Sequence, residues 1–210
     1  MQLIGMLDSP YVRRVAISLQ FLGLRFEHRS ISVFRGFAGF QAINPVVKAP
    51  TLVCDDGEVL MDSSLILEYA ETLAQPRTLL PREPRALQHA LRIVGLALAA
   101  CEKSVQIIYE RTLRPLEKQY EPWLTRVEGQ LLAACTALES EVGRRDRSTE
   151  AHFHADQAMI SAAVAWHFIE RMVPDLVPIA DYPSLSALSA DAERLPEFAA
   201  APHGDGTYRG

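Results

Sequence analysis

Three closely spaced prolines, Pro76, Pro81 and Pro84, divide this chain into two stretches that follow different rules. Before them, strand and helix signals alternate; after them, helical patterns run on with no strand signal between. Such a chain folds as a small mixed α/β region followed by an all-helical one, with the boundary near residue 80. With 210 residues, of which 49% are hydrophobic and 22% charged, it can bury a sizeable core in one large domain or two small ones.

Residues 2–6 read as a strand that breaks at Leu7-Asp8-Ser9-Pro10. Val12, Val15, Ala16, Leu19 and Leu22 then share one helical face, and Gly23 ends that helix. Residues 25–31 read as a second strand, parallel to the first because a helix separates them. The aromatic, glycine-containing stretch 34–43 predicts a short irregular helix before Asn44-Pro45. Residues 51–54 and 58–61 are short β patterns joined by Asp55-Asp56-Gly57, whose Asp-Gly pair favours a tight hairpin. Asp62-Ser63-Ser64 opens a helix with Ile66, Tyr69, Ala70 and Leu73 on one face, closed by Gln75-Pro76. The order is β-α-β-α-β-β-α over residues 1–76, with 77–84 as a linker.

The region 85–210 is expected to be all helical. A long helix covers about 85–113 and stops before Pro115, and a second covers 122–142 and stops at Gly143. A charged loop, 144–150, precedes an apolar helix over 156–172 that carries Trp166 and Phe168. Pro183 and Pro196 start two shorter helices, and 202–210 reads as irregular.

The bulk properties exclude several function classes. A formal net charge of −5, with Arg and Glu interspersed, argues against nucleic acid as the main partner, because phosphate binding needs a concentrated basic surface. No run approaches the roughly 18 apolar residues of a membrane span, and no signal-peptide pattern opens the chain, so the expectation is a cytoplasmic protein with no membrane partner. Cys54, Cys101 and Cys135 are widely spaced with no C-x-x-C pattern, which speaks against a disulfide framework or a zinc site. The histidines show no pair at metal-ligand spacing on a helical face, and no metal is predicted.

The first strand, turn and helix place a hydroxyl where an anion would be stabilised. Ser9 suits the N-cap and Pro10 the first helical position, beside free N–H groups and the positive end of the helix dipole. Residue by residue, Ser9 reads first as a simple helix cap. Asp62-Ser63 offers the same choice at its own helix start, and Lys48 reads as a solvated loop lysine or an anion contact.

Three motifs, at matching spacing, carry a resemblance that extends over essentially the whole chain. Ser9-Pro10-Tyr11-Val12-Arg13-Arg14-Val15 resembles the segment in which many bacterial and plant soluble glutathione transferases place a catalytic serine. Asn44-Pro45-Val46-Val47-Lys48-Ala49-Pro50-Thr51-Leu52 is similar to that family's Asn-Pro-x-x-Lys-Val-Pro-x-Leu motif, and Asp62-Ser63 stands where the family has Glu-Ser or Asp-Ser. The resemblance implies a thioredoxin-like N-terminal domain followed by an all-α C-terminal domain, glutathione as co-substrate, and a homodimer.

It also implies roles. Ser9 would donate its hydroxyl hydrogen bond to the glutathione sulfur, lowering a thiol pKa of about 8.5 toward neutrality. Pro50 resembles the cis-proline shared with thioredoxins, with Ala49 offering its backbone to the peptide. Lys48 would meet the glycine carboxylate, Ser63 and its helix N-terminus the γ-glutamyl carboxylate, and Asp62 the ammonium. An apolar electrophile pocket between the domains would draw on Leu7, Tyr11, Phe34, Phe37, Ile108, Tyr109 and Trp166, each of which reads also as a core residue. Arg111 and Arg114 would favour an anionic substrate or simply face solvent. The implied activity is a glutathione transferase; the alternatives are a glutathione-dependent dehalogenase, etherase or isomerase, and a non-catalytic interaction protein on the same scaffold. One departure concerns the helix at 156. Phe153 replaces the Ser or Thr of the family's capping box, which predicts a weakened start with Phe153 as a hydrophobic staple.

Overall fold

β1 (Gln2–Ile4) pairs in parallel with β2 (Glu27–Arg29) and antiparallel with β3 (Thr51–Val53), and β4 (Val59–Met61) completes the sheet beyond β3. These come from a computed structural model that describes residues 1–144 and 155–210. The register sets Leu3 opposite His28 on one side and Leu52 on the other, so the buried positions of three strands line up across the sheet. The Asp55-Asp56-Gly57 turn joins β3 to β4 as the sequence predicts. Gly57 takes φ 90, and Asp56 Oδ1 accepts the Glu58 N–H at 3.0 Å.

α1 (Pro10–Phe21) and α3 (Ser63–Ala74) pack against each other beside this sheet, and α2 (Phe37–Gln41) is the short helix expected within 34–43. α1 is buried on more than one face. Besides Val12, Val15, Ala16 and Leu19 it buries two consecutive guanidinium groups, Arg13 and Arg14. A buried charge requires a partner. Arg13 forms a bidentate pair with Glu193, both nitrogens at 2.7 Å, and donates from Nε to the Ala201 carbonyl at 2.8 Å, with its guanidinium over the Phe198 ring.

Those partners lie near the end of the chain. The chain divides into two compact units, one of residues 1–80 with 193–210 and one of residues 81–192. This corrects the expectation that 85–210 forms one helical domain. The final segment, which includes α8 (Pro196–Ala200), leaves the helices and packs on α1.

In the second unit, α4 (Pro84–Leu113) packs against α5 (Glu121–Gly143) and α6 (Gln157–Met172), and α7 (Pro183–Ala192) rests on α5 and α6. α6 is buried on all sides from Gln157 to Ile169, as befits its nearly continuous apolar sequence, and is the centre of this unit. Its start is capped after all: Asp156 accepts the Met159 N–H at 2.8 Å, so the helix does not need the missing Ser or Thr. Phe153 and the loop beyond Arg144 lie outside the described residues. Carboxylates of α5 organise its neighbours. Glu139 accepts the Ser184 and Leu185 N–H groups at the start of α7, at 2.8 and 2.9 Å.

Glu141, buried on α5, meets Arg92 at 2.8 Å, Arg144 at 3.4 Å and His89 at 3.8 Å. The Arg92 hydrogen bond, with the charges around it, holds its carboxyl below the usual range against the opposing effect of desolvation. A depressed folded-state pKa means that stability is present above the unfolded carboxylate value and is lost as pH falls through the folded one. Glu141→Gln is therefore expected to melt several degrees below the parent at neutral pH. Melting curves of the two proteins should converge as the solution is acidified below the ordinary carboxylate range.

Candidate functional site

The site is built where β1 ends. Gly5 follows β1, and Ser9 caps α1 with its Oγ 3.4 Å from the Val12 N–H. Because the cap uses Oγ as an acceptor, the hydroxyl proton is what Ser9 has to offer a ligand. Asp8, immediately before it, is half-buried. Burial pushes its carboxyl above the usual carboxylate range, with the Ser9 N–H and Arg35 opposing that rise and Asp205 adding to it. The sequence reading passed over Asp8 as a turn residue.

The loop before β3 is fixed by its own polar side chains. Asn44 donates to the Thr51 hydroxyl at 2.8 Å and accepts the Val46 N–H at 3.0 Å, while Thr51 donates to the Lys48 carbonyl at 2.7 Å. All of these groups belong to the motif 44–52, so the motif's polar residues serve the loop's shape. The Ala49–Pro50 bond is cis, as the resemblance implies; the Gln75–Pro76 bond is also cis, which the sequence reading did not anticipate.

Asp62 and Ser63 open α3. Asp62 is held at φ 71, a left-handed backbone that non-glycine residues avoid, and its carboxylate caps the Ser64 N–H at 3.0 Å. Its other oxygen lies 3.5 Å from Lys48 Nζ, with both side chains about half exposed. Ser63 is buried, and its Oγ accepts from Arg14 Nη1 at 2.9 Å; the same nitrogen reaches Ser64 Oγ at 3.3 Å. Arg14 thus places positive charge beside the hydroxyls at the α3 N-terminus and, by donating to their oxygens, does not use their protons. It was missed in the sequence reading. The available signal was a second arginine within a helix face that is otherwise apolar.

The six proposed glutathione residues are thereby joined through the backbone of the first unit: Ser9 on α1, Ser63 tied to α1 by Arg14, Lys48 paired with Asp62, and Ala49–Pro50 packed toward Gly5. A Cβ built on Gly5 would lie 3.1 Å from Ala49 Cβ. The proposed electrophile residues fare differently. Leu7 and Trp166 are wholly buried and belong to the cores of their units, so neither is open to a ligand. Trp166 donates its indole N–H to Glu170 at 2.7 Å. Tyr11 and Ile108 are partly buried, whereas Phe34, Phe37 and Tyr109 are exposed at 54%, 51% and 42%. Arg111 is paired with Asp175 and Glu128, and Arg114 with Glu110, ion pairs that neither alternative, an anionic substrate or a solvent-facing side chain, had named.

Other chemistries find less support. The three thiols are buried and unbridged, and burial pushes Cys135 up to about 12, far from a nucleophile's range. Among the described residues no group of His, Cys, Asp and Glu is placed to hold a metal, and no helix is long and apolar enough to cross a membrane.

A four-stranded mixed sheet with a cis-proline before β3, followed by an all-helical unit, defines a two-part thioredoxin-like fold of the glutathione transferase class. The family of the glutathione S-transferase N-terminal domain matches residues 3–78. A solved structure of a glutathione transferase family member from Pseudomonas fluorescens Pf-5, with bound S-(propanoic acid)-glutathione, is 30% identical and covers 96% of this chain and 98% of its own, at a TM-score of 0.77. The uncharacterized GST-like protein YibF of Escherichia coli (strain K12) is 29% identical across 83% of this chain and 85% of its own length. A probable maleylacetoacetate isomerase of Caenorhabditis elegans is 27% identical across 90% of this chain and 86% of its own. The chain belongs to the glutathione transferase family.

Proposed function

We propose that this protein binds glutathione across the starts of α1 and α3 and is a glutathione transferase acting on a small hydrophobic electrophile. The observation that carries the reading is the pairing of two hydroxyls, Ser9 and Ser63, at two helix N-termini of one unit, the second backed by the buried Arg14. The donor set fits a peptide with two carboxylates, an ammonium and a thiol. Ser63 and the α3 N-terminus suit one carboxylate, Lys48 the other, Asp62 the ammonium, and Ala49 the peptide backbone. Bound glutathione supplies a thiolate nucleophile for an electrophilic carbon.

Ser9 activates that thiol by donating its hydroxyl hydrogen bond to the sulfur, with the α1 N-terminus adding positive potential. Lowering a thiol pKa by one unit takes about 1.4 kcal/mol, and a hydrogen bond to a charged group supplies roughly 1.5–3 kcal/mol. Serine has no sulfur with which to form a mixed disulfide, which favours conjugation over thiol exchange. A second reading, isomerisation by reversible thiolate addition to a double bond, uses the same residues and is favoured by the similarity to the isomerase-named relative. We assign the protein a homodimeric state, which sedimentation velocity would read directly.

Melting the protein with and without millimolar glutathione and its S-methyl derivative tests the site. At a hundred times the dissociation constant the ligand adds about 2.7 kcal/mol, a readily measured rise. No rise with either ligand would favour a non-catalytic role. Ser63→Ala is expected to weaken glutathione about tenfold, the worth of one hydrogen bond to a carboxylate, while leaving the rate at saturation near the parent's. An unchanged affinity in calorimetric titration would remove Ser63 from the site.

A further inference from the structure

His28 lies at the middle of β2, an edge strand of the sheet, with 9% of its surface exposed. Its Nε2 is 2.7 Å from the Gly5 carbonyl oxygen, and its Nδ1 is 3.0 Å from the backbone N–H of Tyr208. A carbonyl only accepts and an N–H only donates, so these neighbours select one neutral tautomer. Nε2 carries the proton and donates to Gly5; Nδ1 accepts from Tyr208. Burial pushes the imidazole below the ordinary histidine range, which keeps it neutral.

The two ends of this bridge reach different parts of the unit. Gly5 has φ 134, and a Cβ there would fall 2.7 Å from Val12 Cγ2 and 3.1 Å from Ala49 Cβ. Gly5 is therefore the close contact between the α1 turn that Ser9 caps and the turn at Ala49–Pro50. Tyr208 lies in the terminal segment, which follows β2. Its ring stacks on Phe26 with centroids 4.6 Å apart, the Asp205 carbonyl accepts from the Ser30 hydroxyl at 2.7 Å, and the Arg209 N–H donates to Ala200 at 2.9 Å.

We infer that His28 is a positioning residue for the Ser9 site, and that the terminal segment acts on that site through it. Tyr208 N–H fixes the imidazole tautomer, the imidazole pins the Gly5 carbonyl, and Gly5 sets the spacing between the Ser9 turn and the Ala49–Pro50 turn. This rests on reading Ser9 and Ala49 as glutathione contacts. Neither Gly5 nor Tyr208 is among the residues read as glutathione contacts, so the effect is one of geometry. A site that needs both turns at a fixed spacing loses rate faster than it loses stability when that spacing relaxes.

Two readouts test it: amide hydrogen exchange over residues 5–13 of the ligand-free protein, and kcat and KM for glutathione with an activated aryl halide. His28→Leu keeps the bulk but removes both bonds. It should speed exchange over 5–13 and lower kcat about tenfold with a smaller change in KM. His28→Gln, which can both donate and accept, should recover most of the rate. Tyr208→Pro, which deletes the backbone donor, should resemble His28→Leu, whereas Tyr208→Phe, which keeps both that donor and the ring stacked on Phe26, should stay near the parent. Adding Tyr208→Pro to His28→Leu should cost nothing further. Unchanged exchange over 5–13 in folded His28→Leu, additive losses in the double variant, or equal losses in both Tyr208 variants would each overturn the inference. A parent protein that binds no glutathione would instead defeat the reading of the site, and the exchange comparison would still decide whether His28 couples the terminal segment to the Ser9 turn.

Discussion

A Ser9→Ala variant should turn over about ten- to a hundred-fold more slowly than the parent while binding glutathione within a few-fold of it. The size follows from the bond removed, since a hydrogen bond to a charged sulfur is worth roughly 1.5–3 kcal/mol and each 1.4 kcal/mol is a factor of ten. The separation of rate from affinity follows from the geometry. In the proposed site Ser63, Lys48, Asp62 and the Ala49 backbone lie on other elements, so they would keep their grip on the peptide when the α1 cap loses its hydroxyl. Ultraviolet titration of the bound thiol should show its pKa rising by one to two units, the same free energy read another way. The α1 cap itself loses about 1 kcal/mol, so the comparison is made well below the melting temperature. An unchanged kcat in Ser9→Ala would show that another group activates the thiol.

Arg13→Ala should be the most destabilising single change considered. It deletes both nitrogens of the pair with Glu193, strands the Ala201 carbonyl, and removes the cation over Phe198. Breaking a buried pair from one side costs about 3–5 kcal/mol, and the partial exposure of Glu193 places this case at the lower end. For a chain of this size that is a fall in melting temperature of roughly 6–12 °C. Glu193→Gln, which retains an acceptor for the guanidinium, should cost much less. A loss below about 1 kcal/mol in Arg13→Ala would mean that the buried guanidinium does not fasten the terminal segment.

The element order could be read from the chain because each element announces itself locally. Ser9-Pro10 marks a helix start, Asp56-Gly57 a hairpin, and the apolar run from Ala158 to Ile169 a helix buried on all sides. The positions of Ser9, Asp62 and Ser63 were equally plain, since caps are written into the sequence next to the helices they serve. What stayed hidden depends on partners far away in the chain. Arg13 and Arg14 resemble solvated residues until Glu193 and Ser63 are found opposite them. Leu7 and Trp166 resemble pocket residues until their burial is known, because an apolar side chain looks the same whether it faces a ligand or a core. Arg111 and Arg114 were likewise read without the carboxylates that neutralise them. His28 gave no sign at all, since its partners are backbone groups.

The return of residues 193–210 to α1 makes the sheet-bearing unit discontinuous in sequence, with the helical unit as an insertion within it. During synthesis the residues of that first unit emerge in two instalments, and α1 waits with the Arg13 guanidinium lacking its acid until the second arrives. The helical unit, continuous from Pro81 to Ala192, has all its own contacts earlier and can close before the unit that precedes it. The order of completion is then the reverse of the order of sequence. A fragment cut at Leu80 would carry every residue of the proposed glutathione site, yet lack the acid that balances Arg13 and the segment that holds His28.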